Sequence, residues 1–243
     1  MTLFSFTHII FLLVTIVFIL STMYLITKLN RKWQNIMFIF AVIMCSGGIF
    51  FRYVMGLGFN KINIETLLIQ MLQVCNFNFT LVPLMLIKKN EIARQYSFMF
   101  SMFAASTTLF ALSKDWANLN WYDINIINSW LNHTFAIALP LWMFSARILK
   151  PKKEYILKVT IMVIIYFILS FVIQEILKAS NDIYSSLNLS FIYGDKSIFV
   201  FDYLYKTIKL PCFYLFPLIP FMILFFIGLK KLFNKYKLIE VDN

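Results

Sequence analysis

Seven apolar runs, each near the ~20 residues that a tilted membrane helix needs, constrain this chain more than any motif does. They fall at about 7–27, 34–55, 65–87, 95–113, 126–148, 155–177 and 210–233. Composition agrees: 61% of the 243 residues are hydrophobic and 14% charged, where a soluble domain carries about 25% charged residues. The expected class is all-α: a polytopic membrane protein forming one seven-helix transmembrane bundle over residues 1–243, multi-pass in a cell membrane. No internal repeat and no low-complexity linker divides it.

The net charge of +11 invites a nucleic-acid reading, which its distribution excludes. The basic residues sit in short loops between apolar runs, and no basic stretch is long enough to form a nucleic-acid arm. Fifteen of them lie in alternate connections: Lys28, Arg31 and Lys32; Lys88, Lys89 and Arg94; Arg147, Lys150, Lys152, Lys153 and Lys158; and Lys230, Lys231, Lys235 and Lys237. The second and fourth loops hold only Lys61 and Lys114. The positive-inside rule then expects the N-terminus outside and the C-terminus in the cytoplasm. The first charged residue is Lys28, so the chain lacks the basic start of a cleaved signal peptide, and its first span is expected to remain.

Within the third run, Met71 to Thr80 holds a thiol, three amides and a hydroxyl. Each costs free energy in hydrocarbon unless the protein supplies a partner. At 1.5 Å per residue, Cys75 lies ~15 Å below the outer surface and His133 ~10 Å below it. Arg52, Asn128, Asn132, Gln174 and Glu175 join them in the outer half, whereas the inner half is almost purely apolar apart from Ser101 and its neighbours.

Each candidate has an ordinary reading beside the functional one. A buried cysteine commonly behaves as a small hydrophobe, and Cys45 and Cys212 illustrate how common such positions are; the three thiols show no metal-binding spacing. His133 is either a neutral imidazole bonded to a neighbouring helix or the base of a thiol–imidazole pair with Cys75. Gln73, Asn76 and Asn78 are interhelical glue or donors to an oxyanion. Helical geometry puts Asn78 about 60° from Cys75 and Gln73 about 160° away, so Gln73 is expected to contact a different helix. Arg52 either snorkels to the head groups or pairs with a lipid phosphate. His8 reads as interfacial, and Trp116, Trp121, Tyr122 and Trp130 read as an outer aromatic belt. The tyrosine-rich stretch 184–205 suggests an outer amphipathic cap, though its periodicity is poor.

The opening Phe4-Ser5-Phe6-Thr7-His8-Ile9-Ile10-Phe11 resembles the start of the YwaF-type bacterial membrane proteins. Leu72-Gln73-Val74-Cys75-Asn76 resembles their Leu-His-Leu-Cys-type motif, and Asn132-His133-Thr134 resembles their Asn-His-Gly. Residues 201–217, with Tyr205-Lys206 and Leu210-Pro211, look like their entry to the last span. That family is related to the transmembrane-protein-164 acyltransferases of ether-lipid metabolism. The resemblance implies a bacterial plasma-membrane protein with Cys75 and His133 as its catalytic pair. Gln73 stands where the motif has histidine, and Thr134 where it has glycine.

The expected function is a membrane-embedded acyltransferase or lipid hydrolase acting on phospholipid acyl esters. Cys75 would be the nucleophile, His133 the base, Asn76 or Asn78 the oxyanion donor, and Arg52 the head-group ligand. The alternative is a non-catalytic solute-binding subunit of a small-molecule transporter. A retinal protein is excluded because Lys230 and Lys231 lie at a span end. Membrane lipids are the expected partners. No cofactor is expected, and no metal, since histidines and carboxylates are too few for a ligand cluster.

Overall fold

The computed structural model describes residues 5–47, 49, 69, 71–87, 90–110, 120, 122–180, 188–194 and 199–235. Arg52, Lys61, Lys88, Lys89, Lys114, Trp116 and Trp121 lie outside the described residues. Among those described there is no strand; all regular structure is helical.

Helix α1 spans Phe6–Lys28, with Ser5 as N-cap accepting from the His8 amide at 3.3 Å. Helix α2, Arg31–Val42, is capped by Asn30 and widens into a π turn at Ile43–Gly47. Helix α3 is short, Val74–Leu81, and tightens at Pro83 into a 3-10 turn over Val82–Leu86. Helix α4, Glu91–Tyr96, continues through a second π turn, Ser97–Ser101, into α5, Met102–Phe110. Helices α6, Ile124–Ser145, and α7, Ile156–Ser180, follow. A 3-10 turn at Leu189–Phe191, helix α8 at Phe199–Ile208 and helix α9 at Leu218–Lys235 complete the order.

Among the described residues, three segments are long and apolar enough to cross a membrane: Phe6–Lys28, Lys153–Ser180 and Phe213–Phe233. Their outward faces carry bare aliphatic side chains, among them Val17 and Leu20 on α1 and Ile176 on α7. Such surfaces suit lipid and would be a liability in water.

Helix α6 is the axis of the bundle, packed by α1, α2 and α5. It has no lipid-facing stripe over its second half, where Phe135 to Leu139 and Leu141 to Phe144 are all buried. Two tryptophans lock it to α1: Trp130 Nε1 donates to Thr15 Oγ1 and Trp142 Nε1 to Thr22 Oγ1, each at 2.8 Å. Both pairings advance in the same chain direction, so α1 and α6 run parallel. Phe135 and Trp142 pack edge-on against one another, with Phe18 of α1 and Phe40 of α2 filling the gaps.

The sequence predicts span five to residue 148, but α6 stops at Ser145. Arg147 adopts φ 58°, Arg147 N donates to Phe144 O, and Ile148 N donates to Met143 O, both at 2.9 Å. This is a Schellman closure with arginine in the left-handed position that glycine usually takes. The third run shows a larger departure. A continuous helix is expected across 65–87, whereas the chain turns at Leu72 and Gln73 and starts a new helix at Val74. The tyrosine-rich connection does contain an amphipathic helix, α8. Its Phe201, Leu204 and Ile208 pack on the core, while Asp202 and Lys206 pair at 2.6 Å on the other face.

Candidate functional site

The break at Leu72–Gln73 organises the site. An interrupted helix frees backbone groups that hydrocarbon cannot satisfy, so it persists only where protein supplies partners. Here the partners come from far along the chain. Tyr166 of α7 donates to Leu72 O at 2.6 Å, and Ser190 Oγ donates to the same oxygen at 2.9 Å. Ser190 has one proton, which it shares between Leu72 O and the Tyr166 hydroxyl oxygen. Gln73 replies from its side: its Oε1 accepts from Ser190 N at 2.8 Å, and its Nε2 reaches Asn188 O at 3.5 Å.

The strap holding Ser190 is built to stay in place. Ser190 and Phe191 take φ 50° and 64°, and Gly194 takes φ 78°. Asn188 ties the strap to itself, its Nδ2 on Gly194 O at 2.6 Å and its Oδ1 on Tyr193 N at 3.0 Å. Gln174 Oε1 accepts from Leu189 N, and the Tyr214 hydroxyl donates to Phe191 O. Tyr193 donates to Glu175 at 2.6 Å. Burial, then the hydrogen bond to Glu175 and its negative charge, push the Tyr193 phenol up to about 12. It therefore stays a neutral donor at ordinary pH.

With the break pinned, Cys75 becomes the second residue of α3. The first intrahelical bond runs from Phe77 N to Gln73 O at 2.8 Å. The Val74 and Cys75 amides precede it and carry the positive end of the helix. The Cys75 thiol lies 3.7 Å from Thr108 Oγ1. Thr108 in turn donates to Ala104 O at 3.0 Å, which leaves its oxygen to accept from the thiol.

Cys75, Thr108 and Ser190 line one cavity of about 310 Å³. The remainder of its wall is almost wholly apolar: Phe100, Phe103, Val163, Phe167, Phe201 and Met222 contribute, from the π turn, α5, α7, α8 and α9. A space of this size and polarity fits a hydrocarbon chain, with one thiol and the hydroxyls of Thr107, Thr108 and Ser190 in its wall.

His133 is buried on α6, 4% exposed, with its ring edge-on to Phe79 at 5.0 Å. Phe79 stands one turn along α3 from Cys75. Nδ1 of His133 lies 2.6 Å from the Ser129 carbonyl. A carbonyl oxygen only accepts, so the ring proton belongs on Nδ1 and the basic lone pair on Nε2. His133 is not in the wall of the Cys75 cavity. Its neighbour Asn132, with the amide turned so that nitrogen faces two carbonyls, donates to Met44 O at 2.7 Å and Asn128 O at 3.2 Å. The π turn of α2 thus meets α6 here, and its Ser46 reaches Phe79 O at 2.6 Å.

The remaining candidates separate. Asn78 is buried and accepts from the Tyr96 hydroxyl at 2.7 Å, away from the cavity wall. Asn76 is half-buried, with its backbone carbonyl accepting from Thr80 at 2.9 Å. Gln73 contacts the strap rather than a helix face. His8 is buried, and Nε2 lies 2.8 Å from Leu109 O at the end of α5, so the interfacial expectation gives way to an interhelical bond. Thr108, Tyr166 and Ser190 escaped the sequence reading. A threonine on an apolar run commonly bonds its own helix, and no local signal ties residue 166 or 190 to residue 72. No His, Cys, Asp or Glu cluster able to hold a metal occurs among the described residues.

No curated protein and no solved structure matches the chain significantly. A family model does match residues 3–230, nearly the whole chain, and the protein belongs to the TMEM164 family.

Proposed function

We propose that this protein is a membrane-embedded acyltransferase or lipid hydrolase acting on phospholipid acyl esters. Cys75 is the nucleophile and His133 the base. One observation carries the reading: the Cys75 thiol sits at the start of a half-helix, in the wall of an apolar cavity of about 310 Å³. The acyl chain occupies that cavity and brings its ester carbonyl to the thiol. In the reacting state, with the imidazole brought from its place beside Phe79 to the thiol, Nε2 of His133 takes the thiol proton, sulfur bonds to the carbonyl carbon, and the ester C–O bond breaks. The departing alcohol takes the proton from the imidazolium, leaving a thioester on Cys75. A second alcohol, or water, then attacks the thioester and returns the proton to sulfur.

Charge that develops on the carbonyl oxygen meets the Cys75 amide and the positive end of α3. Asn76, the next residue of α3, is assigned as a further donor. Thr108 orients the resting thiol. The apolar wall favours a lipid chain over the polar solute of a transporter subunit. The reading takes the N-terminus outside, seven spans in a bacterial plasma membrane of the YwaF type, and Arg52 near the head group.

The test is chemical. The intact protein in lipid nanodiscs should form a covalent adduct with a long-chain acyl or fluorophosphonate probe at Cys75 and not at Cys45 or Cys212. Cys75→Ser should remove most turnover of a phospholipid ester. His133→Ala should slow adduct formation by ~10²–10⁴, the usual worth of general-base assistance. Full turnover in Cys75→Ser would end this reading.

A further inference from the structure

Helix α9 packs against the π turn and α5, and rings hold the two together at one end. Phe98 meets Phe233 and Phe226 with ring centres 6.3 and 6.0 Å apart, and Phe103 meets Phe225 at 5.8 Å. The partner's number falls as the position on α5 rises, so the two helices are antiparallel. Past Phe103 both turn to the cavity beside Cys75. Thr107 and Phe110 stand in its wall on one side, and Leu218 and Ile219 on the other. Thr107 is exposed, and Phe110 is 53% exposed. A side chain that lines a cavity and also meets the surroundings stands at a mouth. This mouth lies in the flank of the bundle, between α5 and α9. On α9 the bare neighbours are Phe221 and Leu224, a surface suited to lipid.

Thr107 immediately precedes Thr108, whose hydroxyl lies 3.7 Å from the Cys75 thiol. The mouth therefore opens at the level of the thiol. Phe100 and Met222 stand deeper in the wall, 6% and 1% exposed. From Thr108 back to Phe100 the chain rises roughly 12 Å at 1.5 Å per residue. Half of a hydrocarbon core is ~15 Å thick. A chain held at the thiol thus reaches the cavity floor over most of the depth of one leaflet. Among the described residues the wall contains no charged side chain, so a charged solute would find no partner there.

We infer that the gap between α5 and α9 is a lateral portal, through which one acyl chain of a membrane phospholipid enters the cavity directly from the bilayer. The chain passes from one apolar medium to another, and its hydrocarbon surface never meets water. Thr107 and Ile219 face each other across the opening and set its width. The Phe103–Phe225 contact closes its deep end. The inference rests on the reading of this cavity as an acyl-chain site and adds the route into it. It does not require Cys75 to react.

The full chain in nanodiscs tests it, using phosphatidylcholine with a diazirine at the end of one acyl chain. After irradiation, mass spectrometry locates the inserted lipid. Insertion at Phe100 or Met222, both shielded from the surrounding bilayer, reports a chain inside the cavity. Met85, fully buried and outside the wall, gives the background. Insertion at Phe100 or Met222 should stand well above that background and persist in Cys75→Ser. Thr107→Trp, which fills the mouth, should lower it about tenfold, the factor that 1.4 kcal/mol of lost binding gives. Ile219→Trp blocks the same opening from α9, and monodisperse elution selects folded protein. Leu20→Trp, on the lipid face of α1, should change nothing. Cavity insertion that neither mouth variant reduces overturns the portal and leaves the chain site standing. Insertion no greater than at Met85 overturns the portal together with the chain site. Failure of the catalytic reading alone, with Cys75→Ser still turning over ester, would leave both the insertion and its block at the mouth in place.

Discussion

Tyr166 on α7 donates its hydroxyl to the carbonyl of Leu72 at 2.6 Å, and this bond lets the third membrane run break where it does. The break makes Cys75 a helix N-terminal residue instead of a mid-span one. An amide preceding the first intrahelical bond then lies beside the thiol. A continuous helix through 65–87 would have spent that amide on its own backbone.

The clamp on Leu72 gives the first prediction. Tyr166→Phe or Ser190→Ala should each lower stability by about 1–3 kcal/mol, the cost of a weakened buried hydrogen bond. Thermal unfolding in nanodiscs reads this directly. The double variant should depart from the sum of the single effects, because the two hydroxyls serve one carbonyl and each other. Strict additivity would mean that the clamp is not one unit.

Gly194 concerns the strap. Its φ of 78° and an added Cβ only 2.8 Å from the Tyr205 Cβ leave no room for a side chain. Gly194→Ala should destabilise by at least the ~1–2 kcal/mol that a left-handed backbone costs a chiral residue. Proteolysis of the strap should accelerate in the variant. Unchanged protection would show that α8 is not seated on it.

Filling the large cavity separates chain binding from thiol reactivity. Ala104→Phe or Val163→Phe should reduce turnover of long-chain phospholipid esters while a small apolar alkylating reagent still reaches Cys75. Equal turnover of long-chain esters would place the acyl chain elsewhere.

Topology is tested with reporters. A fusion after Asn243 should behave as cytoplasmic, and one near Asn118 as external, as expected from fifteen basic residues in alternate connections. The reverse pattern would put the Cys75 cavity in the opposite leaflet.

Much of the architecture was legible along the chain. Apolar runs of membrane length, with basic residues between them, identify a helical membrane protein, because hydrocarbon requires the backbone to satisfy itself locally. The cluster around Cys75 also announced itself, since polar groups in an apolar run need partners somewhere.

What the chain could not say is who those partners are. Gln73 meets Ser190 across 117 residues, and Leu72 meets Tyr166 across 94. A hydrophobic pattern carries period and length but no record of such pairings. Cys75 meeting Thr108 likewise depends on which helices pack together. The sequence determined which residues must seek polar company in an apolar medium. Tertiary structure alone decided which of them found it, and there lie the broken helix and the apolar cavity beside Cys75.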